Sequence, residues 1–229
     1  MLKELLRYID FQVNLPRSGS SLDSIHLDLG CGASPRNPFA AKILYGTDFS
    51  EFGSRMQDGI RFVSADLTRT LPFEASSFSS ISAYDVLEHI PRWERLPDGS
   101  ITFPFVDLMQ EIYRVLRPNG IFYAVTPGYP SNAAFQDPTH INFITLETLA
   151  YFSGDSVHAE NLGYGFNGKF DVLHNSWLRG AGPYAQRRIT FKGGDTNWFS
   201  KDSMRLARRI YKLLKNRNPE HILWVIKKC

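Results

Sequence analysis

The chain has 229 residues, 43% of them hydrophobic and 21% charged, which fits one domain with a substantial apolar core. Its 26 basic and 23 acidic side chains leave a net charge of +3, too small an excess to imply nucleic acid as a partner. Two cysteines make no disulfide framework, no apolar run reaches the roughly eighteen residues of a transmembrane helix, and the charged start lacks a signal-peptide core; the expected setting is reducing and cytoplasmic.

Leu2, Leu5, Leu6 and Ile9 recur at helical spacing and predict an amphipathic helix within residues 1–15. A polar loop, Pro16 to Ser24, follows. Ile25, Leu27 and Leu29 then predict a short buried parallel strand that runs directly into Gly30 and Gly32. Glycines let the chain turn sharply and let a ligand approach the backbone, and a strand entering such a turn is a nucleotide-site signal in α/β folds. A dinucleotide fingerprint wants a third glycine where this chain has Pro35. Asp28, at the strand's end, would repel a pyrophosphate and attract a cation. S-adenosyl-L-methionine (SAM) carries an ammonium and a sulfonium but no phosphate. The stretch Leu27-Asp28-Leu29-Gly30-Cys31-Gly32 resembles the first motif of class I SAM-dependent methyltransferases, in particular the small-molecule, methyltransferase-11-like family.

Pro35 and Pro38 predict that the helix after the first strand is short or delayed. A second strand ends at Tyr45-Gly46-Thr47-Asp48. Asp48 lies 18 residues beyond Gly30, near the spacing at which an acid accepts hydrogen bonds from ribose hydroxyls, and Phe49 follows it. Ile60 to Val63 predicts a third strand, with Asp66 and Leu67 just past its carboxyl end. A fourth, Ser80 to Tyr84, runs into Asp85-Val86-Leu87-Glu88-His89-Ile90-Pro91. Phe105, Leu108, Met109, Ile112, Tyr113 and Leu116 give an amphipathic helix closed by Arg117-Pro118-Asn119-Gly120. A fifth strand, Ile121 to Thr126, precedes Thr126-Pro127-Gly128-Tyr129-Pro130 and the loop Asp137-Pro138-Thr139-His140. A helix is expected over Thr145 to Phe152, a sixth strand over Phe170 to Leu178 after a hairpin-like approach at Gly163 to Phe166, and a last strand over His221 to Ile226.

The Leu87-Glu88-His89-Ile90 series and the helix and turn from Glu111 to Gly120 extend the resemblance over roughly Ile25 to Phe152. It implies a three-layer α/β sandwich with a mostly parallel, seven-stranded Rossmann-like sheet and an antiparallel last strand. It implies a single domain over residues 1–229, with SAM as methyl donor and S-adenosyl-L-homocysteine (SAH) as product. Asp28 and the turn Gly30-Cys31-Gly32 would hold the methionine end, Asp48 and Phe49 the ribose side, Asp66 and Leu67 the adenine, and Asp85 and Val86 the region of the methyl. The Asp137-to-His140 loop is similar to one in sugar and cell-envelope methyltransferases, where it closes over the acceptor, so a small-molecule or glycan hydroxyl is the expected acceptor. His140 is the first candidate base, with His89 or Glu88 second; a nitrogen acceptor would need less help. No His/Cys cluster shows zinc spacing and no paired acids suggest magnesium, so no metal is expected.

Residues 179–217 add eleven Lys and Arg side chains, against Asp195 and Asp202, to what a minimal family domain contains. Met204, Leu206, Ala207, Ile210, Tyr211, Leu213 and Leu214 give this segment a basic amphipathic helix. Over 201–217 it could meet an anionic membrane, grip a polyanion or phosphorylated acceptor, or be the solvated face of a packed helix. The missing base-stacking aromatic ladder argues against nucleic acid. Two other classes stay open: a methyltransferase-like module that binds without catalysing, and a nucleotide-dependent oxidoreductase.

Overall fold

The computed structural model describes residues 24–50, 59–155, 157–178 and 219–229. The expected helix within 1–15 and the basic segment 179–217 lie outside the described residues. Seven strands form one sheet: β1 (Ile25–Leu29), β2 (Ile43–Asp48), β3 (Ile60–Ser64), β4 (Phe78–Tyr84), β5 (Leu116–Pro127), β6 (Phe170–Trp177) and β7 (His221–Lys228). Their order is β3-β2-β1-β4-β5-β7-β6. Only β7 is reversed; it pairs antiparallel with both β5 and β6, so the expected Rossmann-like sheet with its antiparallel last strand is the one observed. The chain moves outward from β1 to β3, then crosses back to place β4 on β1's other side. The β1–β4 junction is therefore the topological switch point, beside whose carboxyl ends ligands bind in open α/β sheets.

Period-two alternation explains which face each side chain takes. Leu27, Leu29, Ile81, Ala83, Phe122 and Ala124 are buried with α1 (Pro104–Val115) in the larger core. Pro104 opens α1, where a missing N–H costs nothing. Phe105, Leu108, Met109 and Ile112 are its buried stripe. Glu111 accepts the Leu71 N–H and pairs with Arg114, whose guanidinium donates to the carbonyls of Leu71 and Phe73. The polar face of α1 thereby fixes the segment leading into β4.

The opposite face holds Tyr84, Ile121, Tyr123, Val125, Leu223 and Val225, with Phe39 packed on them. On β1 and β4 it is polar. Parallel register sets His26 beside Ser80 and Asp28 beside Ser82. His26 Nδ1 lies 2.8 Å from Ser80 Oγ and its Nε2 2.8 Å from Ser82 Oγ, while Ser82 Oγ–H donates to Asp28 Oδ1 at 2.5 Å. All four side chains are buried. Replacing Ser82 by Ala removes the bridging hydroxyl and strands two buried polar atoms. We expect Ser82→Ala to cost about 1–3 kcal/mol in urea unfolding, against a few tenths for an exposed serine such as Ser76.

Three local expectations change. No helix follows β1; residues 30–42 are turns and extended chain, because Pro35 and Pro38 interrupt helical hydrogen bonding and Asp28 ties the segment down through the Arg36 N–H. The expected helix at Thr145 to Phe152 is a 3-10 helix, Leu146–Tyr151, opened by a reciprocal Thr145–Thr148 cap. The approach to β6 is not a hairpin: a single helical turn, His158–Asn161, leads through bends into the strand. In addition, the Arg117-to-Gly120 turn lies within β5, as an irregularity where pairing skips from Leu116–Phe78 to Ile121–Ser80. No helix among the described residues is long and apolar enough to cross a membrane.

Candidate active site

The turn after β1 is built by two residues in the left-handed region, Gly30 at φ 58° and Gly32 at φ 55°. Gly30 also lies beneath Val86, the second residue past β4; a β-carbon at Gly30 would overlap Val86 Cγ2. The ends of β1 and β4 thus interlock at the switch point. A β-carbon on Gly32 would meet nothing within 4 Å among the described residues, so none of them closes the space above the turn. The Gly32 N–H donates to Asp48 Oδ2 at 3.0 Å, and the Ser50 N–H to Asp48 Oδ1 at 3.1 Å. The Cys31 N–H reaches the Thr47 carbonyl at 3.1 Å, so the turn is tied to β2 twice.

Not every candidate faces this opening. Asp28 is fully buried, with one oxygen on Ser82 and the other accepting the Arg36 N–H at 2.7 Å. It shapes the turn from behind, which corrects the expectation that its carboxylate meets the ligand. Burial pushes its carboxyl up to about 7, despite those two hydrogen bonds and the nearby Arg36 charge. Burial likewise pushes the Cys31 thiol up to about 12, so Cys31 stays protonated. Val86 and Leu67 are buried in the larger core. Phe49, 82% exposed, stands open beside Asp48. Asp66 folds onto Thr68, accepting from its N–H and hydroxyl, and these bonds hold the carboxyl below its usual range.

Beyond β4 the chain makes Asp85, at φ 52°, and a 3-10 turn, Leu87–His89. Asp85 Oδ1 is 3.3 Å from His221 Nε2, at the start of β7. Glu88 is 1% exposed. Its Oε2 accepts from Thr126 Oγ1 at 2.9 Å, while Oε1 has no hydrogen-bond partner. Burial first, then the Asp85 and Asp137 charges, push its carboxyl up to about 8, against its own hydrogen bonds. The loop carrying His140 is seated on the same turn: the N–H groups of Ile141 and Asn142 both donate to the Glu88 carbonyl at 2.9 Å, and Asn142 Nδ2 donates to the Leu87 carbonyl at 3.0 Å. Arg92 clamps the far side through Asn142 Oδ1 and the Phe143 carbonyl. His140 Nε2 comes within 3.9 Å of Glu88 Oε1 and 4.0 Å of Asp137 Oδ2, and its ring stands edge-on to His89 at 4.8 Å. Tyr129, Phe135 and Phe143 form an exposed aromatic row on this side.

All three candidate bases are therefore brought together. Thr126, Thr139, Arg92, Asn142 and His221, which hold them or Asp85, were not legible in the sequence. Of these, Thr126 and His221 had a signal, since each lies at the end of a predicted strand.

A family model described as a methyltransferase domain matches residues 27–124, just under half of the chain. That segment, from β1 to the middle of β5, is similar to a methyltransferase domain. Solved structures share the methyltransferase fold at low identity. A geranyl diphosphate methyltransferase in complex with GPP and sinefungin is 17% identical, with a TM-score of 0.54 over 100% of this chain and 77% of that one. Geranyl diphosphate C-methyltransferase from Streptomyces coelicolor A3(2), in complex with Mg2+, geranyl diphosphate and SAH, is 15% identical, with a TM-score of 0.51 over 90% and 71%. A SAM-dependent methyltransferase from Archaeoglobus fulgidus is 17% identical, with a TM-score of 0.50 over 91% and 87%. No curated protein matches the chain in sequence. The methyltransferases that the chain resembles use SAM, and the match is to a methyltransferase domain rather than to an oxidoreductase. The open turn at Gly32, with a carboxylate beside it and no third glycine, fits a cationic, phosphate-free nucleoside.

Proposed function

We propose that this methyltransferase transfers a methyl group from SAM to a hydroxyl of a small-molecule acceptor. When bound, SAM supplies an electrophilic methyl on a sulfonium: the acceptor oxygen bonds to it, the C–S pair returns to sulfur, and SAH leaves. The chain's part is mainly orientation, which such an in-line displacement rewards. The observation that carries this reading is the junction of the Gly30–Gly32 turn with Asp48 at the switch point, with Glu88 and His89 just beyond Val86 and the His140 loop docked on them. Asp48, whose carboxylate already faces the turn's N–H, takes the ribose hydroxyls. Asp66 and exposed Phe49 border the adenine side. The acceptor sits on the aromatic row of Tyr129, Phe135 and Phe143, and its hydroxyl proton is lost at the cluster. Aromatic faces suit an apolar body or the C–H face of a sugar. The small-molecule part of this reading is supported by the geranyl diphosphate methyltransferases among the structural neighbours.

Calorimetry with SAH tests the cofactor half. One site per chain is expected, weakened about 10- to 100-fold by Asp48→Ala, the range for losing hydrogen bonds to a charged group. Unchanged affinity in that variant removes the ribose assignment. The acceptor half is tested by mass spectrometry of small molecules from cells with and without the active chain, seeking a mass difference of about 14 daltons that His140→Ala abolishes.

A further inference from the structure

Glu88 and His140 each keep a buried polar atom without a hydrogen-bond partner: Glu88 Oε1 and His140 Nδ1. Native proteins rarely leave such atoms unsatisfied, and an unpaired carboxylate oxygen is costly to bury. The 3.9 Å between Glu88 Oε1 and His140 Nε2 is too long for a hydrogen bond. A cation held between Glu88 Oε1 and His140 Nε2 would satisfy the carboxylate oxygen and leave the imidazole's proton on Nδ1.

His89 completes the set. Its Nδ1 faces the Thr139 carbonyl at 3.3 Å and Thr139 Oγ1 at 3.0 Å, and that hydroxyl donates its own hydrogen to Asp137 Oδ1 at 2.7 Å. A carbonyl only accepts, so Nδ1 carries the proton and the neutral ring's lone pair is on Nε2. A partner that fixes the tautomer in this way is the usual outer support of a metal-binding imidazole. One donor atom from each of Glu88, His89 and His140 lies within 4.8 Å of the others. Ligands about 2.0–2.2 Å from a shared ion stand roughly 3–4 Å apart, so small side-chain rotations suffice.

We propose that Glu88, His89 and His140 bind a divalent first-row transition-metal ion, leaving coordination positions open for an acceptor hydroxyl. Two imidazoles and one carboxylate suit such ions better than magnesium, which prefers oxygen donors. Metal binding follows from the three side chains alone; its use on the acceptor rests on the methyl transfer proposed above. There the ion holds the hydroxyl oxygen and lowers its pKa, the proton leaves to solvent, and His140 serves as ligand rather than base.

The test is a Co2+ titration of the full chain, free of SAM, read by visible absorption and repeated with Zn2+ as competitor. The expected result is one Co2+ per chain, displaced by Zn2+, with affinity at least tenfold weaker in Glu88→Gln and His140→Ala. Half-exposed His89→Ala, which disturbs no packed core, should weaken it likewise. SAH calorimetry on each variant verifies folding. A wild-type chain that binds SAH without developing the Co2+ band overturns the metal site and leaves the transferase reading intact. A band that persists in all three variants overturns it too, because the ion is then elsewhere. A variant-sensitive band in a chain that does not bind SAH upholds the metal site and removes the cofactor reading.

Discussion

Gly30→Ala should destabilise the protein by about 2–5 kcal/mol. Two costs combine. An L side chain at φ 58° enters the left-handed region, at roughly 1–2 kcal/mol. Its β-carbon also overlaps Val86 Cγ2, and overpacking a buried contact costs about 1–3 kcal/mol. Val86 has little room to yield, since valine is stiff at its first torsion and is buried here. Relief has to come from the backbone on one side of the switch point, so SAH affinity should fall with stability. A double-mutant cycle separates the two costs. In a Val86→Ala background the clash with Cγ2 is gone, leaving the backbone cost and one tight Cβ contact, so Gly30→Ala should be cheaper there by about 1–3 kcal/mol in denaturant unfolding. Strict additivity would show that the two residues do not meet.

The second large effect concerns pH and the buried pair behind the turn. Burial lowers His26 to about 3, below the 6.5 of an unburied imidazole, and raises Asp28 to about 7 from 3.8. Between pH 4 and 6.5 the unfolded chain binds one proton at this pair, on His26, and the folded chain also binds one, on Asp28. The two linkages have opposite signs: the His26 part gains stability with rising pH, and the Asp28 part loses it. They cancel, so the pair contributes little pH dependence in the wild type. Each single substitution uncovers one half. His26→Gln should lose stability as pH rises from about 4 to 7, and Asp28→Asn should gain stability from about pH 3 to 6.5. Each slope is about 1.4 kcal/mol per pH unit at most. Urea midpoints at pH 4.5 and 6.5 are the measurement. Parallel profiles for both variants would mean that the two groups do not exchange one proton through Ser82.

What the sequence could convey follows from what is local. The strand at Ile25 to Leu29 and its turn are legible because alternation and glycine conformations are properties of neighbouring residues. The same holds for Asp48 at its spacing and for the stripe of α1. Asp28 was misread for a definite reason. A strand-end acid looks ligand-facing until the register with β4 is known, and that register sets it against Ser82. Glu88, His89 and His140 are each legible as candidate bases, but their grouping as ligands is not, because metal-ligand spacing is sought within one segment and here two loops converge. Nothing in Asp137 to Phe143 announces that its backbone will dock on the Glu88 carbonyl. The prolines predict a reluctant helix after β1, but not that Asp28, accepting the Arg36 N–H, and Asn37, paired with the Ala41 backbone, replace it altogether.

That docking is made mostly by main-chain N–H groups, with Arg92 and Asn142 as the side-chain contributors. Exposed Ile141 and Phe143 take no side-chain part in it. The loop can therefore accept new side chains at those two places while keeping its seat. On the acceptor placement proposed above, a combinatorial library restricted to Ile141 and Phe143 is expected to shift acceptor preference on an unchanged chassis, with Arg92 and Asn142 as the pair to leave alone.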